Sequence, residues 1–168
     1  MSRFVDLTTE TANPAQREIL EGVRAQFGMI PPAAARMAHS PELFRAFMAG
    51  TEMFERTSLT PVEREVVILV LARDIGCDVC TGIHTAIVAK LGARPVAGAI
   101  NARETLTDPR LAALADFTVE LLVTRGDVGA APWEAFLAAG FTRAQALEIL
   151  IGVGVYTTST YANRLTGS

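Results

Sequence analysis

A helix-start signal, in which a capping residue is followed directly by proline, recurs along this chain of 168 residues. Ser, Thr, Asn and Asp side chains accept hydrogen bonds from the free N–H groups of a first helical turn, and proline is tolerated at the first helical position. No stretch of the chain alternates apolar and polar residues between hairpin turns. The sequence therefore predicts an all-α fold, a helical bundle. The signals are Asn13-Pro14, Ser40-Pro41, Thr60-Pro61 and Asp108-Pro109, with Thr142 as a further cap.

These signals, together with apolar periodicity and glycine stops, divide the chain into helices. The predicted spans are 14–26, one from 41, 61–75, about 77–91, a short one from 94, 109–122, 132–139 and 143–161. The segment 28–32 is expected to be a turn or crossover within a less regular N-terminal arm, residues 1–35. The last helix is rich in β-branched residues, but its length and cap favour a buried helix with a close-packing face at Gly152 and Gly154. The whole chain, 1–168, is expected to form a single domain.

The composition bears on the oligomeric state, the binding partners and the location of such a bundle. Half of the residues are hydrophobic and the mean hydropathy is +0.30, which is high for a soluble monomer and predicts a homo-oligomer. The longest apolar run, Val66–Ala72, is far shorter than the roughly 20 residues of a membrane-spanning helix. A net charge of −3 without a basic patch argues against nucleic-acid binding. The N-terminus lacks a secretory pattern, so a cytoplasmic location is expected.

Two cysteines and a histidine lie on one predicted helix, as Cys77, Cys80 and His84. At about 100° per residue, all three fall within about 60° of one face. His84 is one turn beyond Cys80, where an imidazole can accept a thiol proton. Cys77 is one turn before Cys80 and close enough for a disulfide. The three residues therefore provide a base, an attacking thiol and a resolving thiol, with Cys80 expected to be the more reactive.

Glu65 is the fourth candidate, because it is a carboxylate at the start of the apolar run 66–72. If the chain reverses at Gly76, the helix of His84 returns alongside Glu65 and leaves an axial gap of roughly 6 Å. Two side chains and a water molecule can bridge such a gap. The sequence thus permits a proton relay that joins Glu65, a water molecule and the thiol–imidazole pair.

Each of these residues also has a structural interpretation. The cysteines could be small core residues or half of a zinc site, although no second CxxC is present to complete four ligands. A thioredoxin-type motif would need a strand before the helix, where a helix is predicted. Glu65 could be a solvated carboxylate at a helix start. His39 is interpreted as structural, and no metal or flavin motif is visible, so no cofactor is expected.

The pattern Glu-x11-Cys-x2-Cys-x3-His over residues 61–91 resembles the AhpD-like (alkyl hydroperoxidase / carboxymuconolactone decarboxylase) superfamily. Weaker similarity covers 28–165, including Gly28–Pro31, Ser40–Leu43 and Ala162–Leu165, the last similar to the tail of peroxidase-related members. The resemblance implies an AhpD-like helical bundle that assembles into dimers, trimers or hexamers. It also implies reduction of hydroperoxides, with Cys80 as the peroxidatic thiol, Cys77 as the resolving thiol, and Glu65 and His84 in the proton relay.

An external dithiol, such as a lipoyl or thioredoxin-like protein, would then restore the cysteine pair. One position departs from the family pattern: Val79 lies between the cysteines, where members with a well-developed relay can carry a histidine. Two alternatives stay open at this point. One is a decarboxylase-like lyase that uses Glu65 and His84 for acid–base chemistry; the other is a non-enzymatic redox sensor or oligomeric binding protein.

Overall fold

A computed structural model describes residues 4–167, and every regular element within that range is an α-helix. The all-α prediction is confirmed. The helices are α1 (Pro14–Phe27), α2 (Pro32–Met37), α3 (Pro41–Glu55), α4 (Pro61–Ile75), α5 (Asp78–Lys90), α6 (Arg94–Ala102), α7 (Pro109–Thr124), α8 (Ala130–Ala138) and α9 (Arg143–Thr166).

The predicted caps begin the helices as expected. Asn13, Thr60 and Thr142 each form a reciprocal capping box with the side chain of the third helical residue. Several details differ from the prediction. A short helix, α2, follows the turn at 28–32; α8 begins two residues before Pro132; and α9 continues five residues past Tyr161 to a left-handed Gly167. The longer α9 results from buried polar residues near its end, which a count of apolar periodicity does not detect.

Helix α4 is the centre of the bundle. Its seven residues 66–72 are all buried, and α4 contacts α5, α6, α7 and α9. A helix that is apolar on every side is stable only when other elements surround it. The continuous apolar run, rather than a one-sided stripe, therefore reflects the central position of α4.

Helices α3 and α9 approach each other closely at two glycines. A Cβ atom added to Gly152 would lie 2.5 Å from the ring of Phe54, and one added to Gly50 would lie 2.5 Å from Val155. Gly154, in contrast, faces open space. The expected close-packing face of α9 is therefore formed by Gly152 and not by Gly154.

The expected N-terminal arm contains ordered helix within its described part. Helix α1 and the start of α2 fall inside it, and a small second core joins α1 to residues near α2 and α3 through Leu20, Val23 and Ala38. Residues 1–3 of that arm lie outside the described residues. Between residues 4 and 167 no single helix is long and apolar enough to cross a membrane. Helices α8 and α9 have the required length and composition only when taken together, and they are bent by 110° relative to each other.

Replacement of Gly152 by alanine should destabilise the fold, because the new methyl group would overlap the buried ring of Phe54. Overpacking of this kind costs about 1–3 kcal/mol. Gly154→Ala is the matched control on the same helix. Its new methyl group would meet no neighbouring atom, so the substitution should stabilise the fold by up to about 1 kcal/mol through helix propensity. Urea unfolding of both variants measures the difference. Equal stabilities would contradict the close contact between α3 and α9.

Candidate active site

The candidate site is built around the chain reversal between α4 and α5. Gly76 ends α4 in the left-handed region, with φ of 76°, and Cys77 caps α5 in an extended conformation. The carbonyl of Gly76 accepts a hydrogen bond from Nη1 of Arg164, near the end of α9. The predicted pair of consecutive, packed helices is confirmed, because α4 and α5 lie against each other. Three elements, α4, α5 and α9, therefore meet at the cysteine motif.

Cys77 and Cys80 are both buried free thiols in this arrangement. The sulfur of Cys77 accepts a hydrogen bond from the backbone N–H of Cys80 at 3.3 Å. Cys77 therefore acts as the N-cap of α5 rather than as a residue on its helical face. The cap contact brings the Cys77 side chain over the first turn, beside Cys80, so the predicted proximity of the two residues is retained.

The environment of Cys77 favours the protonated thiol. Burial is the largest cause that raises the pKa of Cys77 to about 11; a hydrogen bond with Cys80 adds to it, and one from Asn163 works in the opposite direction. A thiol with such a pKa carries almost no thiolate at neutral pH, and the thiolate is the attacking species. These properties suit a resolving thiol better than an attacking one.

Glu65 and His84 form a direct hydrogen bond across the α4–α5 interface. Nδ1 of His84 lies 2.8 Å from Oε2 of Glu65, and each side chain is only 11% exposed. The expected bridging water is unnecessary, because the two side chains together span the gap between the helices. The bond also excludes the interpretation of Glu65 as a solvated carboxylate. With Nδ1 directed at the carboxylate, Nε2 is the ring nitrogen left for proton exchange.

Tyr156 of α9 packs edge-on against His84, with ring centroids 5.2 Å apart. Burial, followed by the nearby carboxylates of Glu65 and Glu55, raises the pKa of Tyr156, so the phenol stays neutral. A cavity of about 370 Å³ opens beside Glu65 and Tyr156. Its apolar lining includes Phe54, Ile68, Ile87 and Leu91. The Tyr156 ring therefore packs against His84, and the cavity reaches Glu65, while His84 and the two cysteines do not line it.

The sulfur of Cys80 receives two hydrogen bonds from α9. Nδ2 of Asn163 lies 3.3 Å and Oγ1 of Thr160 3.6 Å from Sγ. Within residues 4–167 no hydrogen bond joins this sulfur to His84, which lies one turn further along α5. Sequence reasoning missed Tyr156 and Thr160, and noticed Asn163 only as part of a family-like tail. Their spacing of four and three residues in a largely apolar helix was the available signal.

Two other polar side chains have structural contacts. Nε2 of His39, a residue interpreted as structural from the sequence, lies 2.9 Å from the backbone carbonyl oxygen of Val5. The second buried carboxylate of α4, Glu63, caps its own helix and pairs with Arg110 at 2.7 Å. The described part of the chain contains no group of three or more His, Cys, Asp and Glu side chains placed to hold a metal ion.

A match to a known protein family covers the residues of the candidate site. The model of the carboxymuconolactone decarboxylase family matches residues 41–120, a span that contains Glu65, Cys77, Cys80 and His84. This match and the solved structures of similar fold support the AhpD-like superfamily that the motif predicts. No curated protein matches the chain in sequence. The AhpD-like helical bundle predicted from the motif is confirmed by this match and by the solved structures that the chain resembles.

Two of these structures are similar over nearly the whole chain. One is an alkylhydroperoxidase AhpD core, an uncharacterised peroxidase-related protein from Ralstonia eutropha JMP134, with a TM-score of 0.83 and 25% identity over 99% of this chain and 90% of that one. The other is an uncharacterised peroxidase-related protein from Silicibacter sp. TM1040, with a TM-score of 0.79 and 21% identity over 98% and 91% of the two chains. The family model ends before α9, so Tyr156, Thr160 and Asn163 lie outside its match.

Alkylation of Cys77 should be slow at neutral pH and rise steeply toward pH 11. The folded-state pKa of Cys77 is about 11, which is above that of an unfolded cysteine. Cys77 in the folded protein therefore keeps its proton at pH values where an unfolded cysteine has lost it. Stability contributed by the buried thiol is therefore present below the unfolded pKa and is lost as the pH rises toward 11. Iodoacetamide labelling of the Cys80→Ser variant against pH measures the effect. Fast labelling at pH 7 would contradict the assignment of Cys77 as a protonated thiol.

Proposed function

We propose that this protein is a thiol-dependent peroxidase, a disulfide oxidoreductase that reduces hydroperoxides through Cys80 and Cys77. The observation that supports it most directly is the buried Glu65–His84 hydrogen bond, placed one helical turn from a reduced cysteine pair. A carboxylate that orients an imidazole, which in turn activates a nucleophile, is a recurrent arrangement in covalent catalysis. Similarity to the AhpD-like superfamily supports the same chemistry.

The first step is attack of the Cys80 thiolate on one peroxide oxygen. The thiol proton passes to Nε2 of His84, while Glu65 at Nδ1 stabilises the resulting imidazolium. The sulfur–oxygen bond forms as the O–O bond breaks, which oxidises Cys80 to a sulfenic acid and releases an alkoxide. The alkoxide takes the proton from His84 and leaves as an alcohol, so the site returns to its initial protonation.

The second step uses Cys77, which remains a protonated thiol until the sulfenic acid has formed on Cys80. Its sulfur attacks the sulfenic sulfur of Cys80, the S–O bond breaks, and water leaves with the Cys77 proton. An external dithiol, a lipoyl or thioredoxin-like protein among the candidates, then exchanges with the Cys77–Cys80 disulfide and becomes a disulfide itself. One hydroperoxide and one dithiol thus yield one alcohol, one water and one oxidised dithiol.

Peroxide turnover with dithiothreitol and dihydrolipoamide tests this function. The Cys80→Ser variant should lose turnover, and Cys77→Ser should stop after one turnover with a sulfenic acid that dimedone traps. Glu65→Gln should slow the reaction by about 10²-fold, a typical contribution of acid–base catalysis. Glu55→Gln is the matched control, because Glu55 is an exposed carboxylate on the same cavity that does not bond His84.

The alternatives predict different results in that experiment. A lyase that uses Glu65 and His84 would act on lactone acids and would keep its activity in a Cys77→Ser/Cys80→Ser double variant. A redox sensor would lose two hydrogens from one peptide on mild oxidation but would show no turnover with hydrogen peroxide, cumene hydroperoxide or tert-butyl hydroperoxide. Either result would overturn the peroxidase proposal.

The proposed enzyme acts as a homo-oligomer that associates through the outer face of α9. Four large apolar side chains are exposed along that helix at helical spacing. They are Leu147, Leu150, Tyr161 and Leu165. A second copy of the chain is the proposed partner, since the composition is unusually hydrophobic for a monomer of this size.

Light scattering at micromolar concentration should therefore show an oligomer for the natural chain. A Leu147→Lys/Leu150→Lys variant should be a smaller species, because charges would replace two buried anchors of the interface. Val123→Lys is the control, as Val123 is equally exposed but lies on α7. A monomeric natural chain would contradict the proposal.

A further inference from the structure

The environment of the Cys80 sulfur contains two polar groups that the acid–base pair does not account for. Asn163 and Thr160 are 5% and 1% exposed and lie one helical turn apart on α9. Both donate to the same atom, Sγ of Cys80, from residues 83 and 80 positions further along the chain. Neither touches Glu65 or His84 through a hydrogen bond within residues 4–167. The amide of Asn163 also lowers the pKa of the neighbouring Cys77, so its effect on Cys80 is measured with Cys77 replaced.

We infer that Asn163 and Thr160 form a thiolate-binding site, in which the α9 amide and hydroxyl stabilise the negative charge on Cys80. This inference rests on the proposed function for the identity of the reacting thiol. It adds two catalytic residues to those of the cysteine motif, because both groups contact the reacting sulfur. His84 would remove the proton, and the α9 donors would hold the charge that its removal leaves behind.

The hydrogen bonds of Asn163 indicate that the amide serves the sulfur and not the stability of the fold. Nδ2 donates to Cys80, whereas the buried Oδ1 has no hydrogen-bond partner. A buried acceptor without a partner destabilises a protein, because it has lost its hydrogen bonds to water and forms none within the protein. An apolar residue would therefore fill this position at lower cost, unless the donor on the same amide is needed.

The position of Asn163 is fixed by its neighbour along the helix. Arg164 donates to the carbonyl of Gly76, immediately before Cys77. This bond ties the end of α9 to the turn that begins the motif, so the backbone that carries Asn163 is held close to Cys80. Burial increases the effect of both donors, because a hydrogen bond to a charged group is stronger where water is excluded.

Thiolate formation can be measured without any peroxide. In a Cys77→Ser background, the rate of iodoacetamide alkylation of Cys80 against pH reports its thiolate fraction. Asn163→Leu should lower the rate at pH 7.5 by about tenfold and shift the midpoint of the curve to higher pH, as expected for the loss of one hydrogen bond to a charge. Thr160→Val should have a smaller effect in the same direction, because its contact is longer.

The shape of the curve distinguishes a lost donor from a blocked approach. A leucine that only obstructs the reagent would lower the rate at every pH, including the high-pH plateau. A lost donor would leave the plateau unchanged and move only the midpoint. Thermal unfolding supplies the second readout: Asn163→Leu should melt at the same temperature as the parent or higher, because it removes a buried acceptor without a partner.

Ser159→Ala is the matched control on the same helix. Ser159 is buried beside Thr160, but its hydroxyl bonds the backbone carbonyl of Tyr156 and not a sulfur. This variant should leave the alkylation curve unchanged. The inference is overturned if Asn163→Leu leaves the midpoint in place, or if Ser159→Ala shifts it equally. A shifted midpoint without peroxide turnover would overturn the proposed function and leave the thiolate site intact.

Discussion

The reversal of the chain between α4 and α5 is the constraint on which the site depends. Gly76 adopts a left-handed conformation that turns the backbone, and the extended Cys77 then caps the next helix. Because α5 returns alongside α4, Glu65 near the start of one helix meets His84 on the other at 2.8 Å. A glycine and a capping thiol thus form a single turn, and the buried Glu65–His84 pair is its consequence.

The reversal alone would leave the sulfur of Cys80 without a side-chain hydrogen-bond donor. Helix α9 supplies two donors, because it packs on α4 and, through the close approach at Gly152, on α3, and it extends as far as the motif. Its polar residues Tyr156, Thr160 and Asn163 face the site, while its buried apolar residues, such as Ile149, join the core. One helix therefore serves both the stability of the bundle and the chemistry of the sulfur atoms.

The two cysteines differ because their surroundings differ, although both are buried. Cys77 accepts a backbone N–H bond and carries a pKa raised by burial, whereas Cys80 has two side-chain donors at its sulfur. A proposed reaction in which Cys80 attacks and Cys77 resolves follows from this asymmetry. The valine between them cannot transfer a proton, so the proposed reaction assigns the acid–base role to Glu65 and His84.

The sequence by itself determined the local elements and the members of the motif. Capping pairs such as Thr60-Pro61 begin helices through bonds within one turn, and Glu65, Cys77, Cys80 and His84 are recognised by spacing along two adjacent helices. The tertiary structure alone decided the direct Glu65–His84 bond and the role of Cys77 as a cap, since both depend on helix separation and backbone angles at the turn. It also decided the contacts of Thr160 and Asn163 with Cys80, because residues about 80 positions apart meet only through packing of the whole bundle.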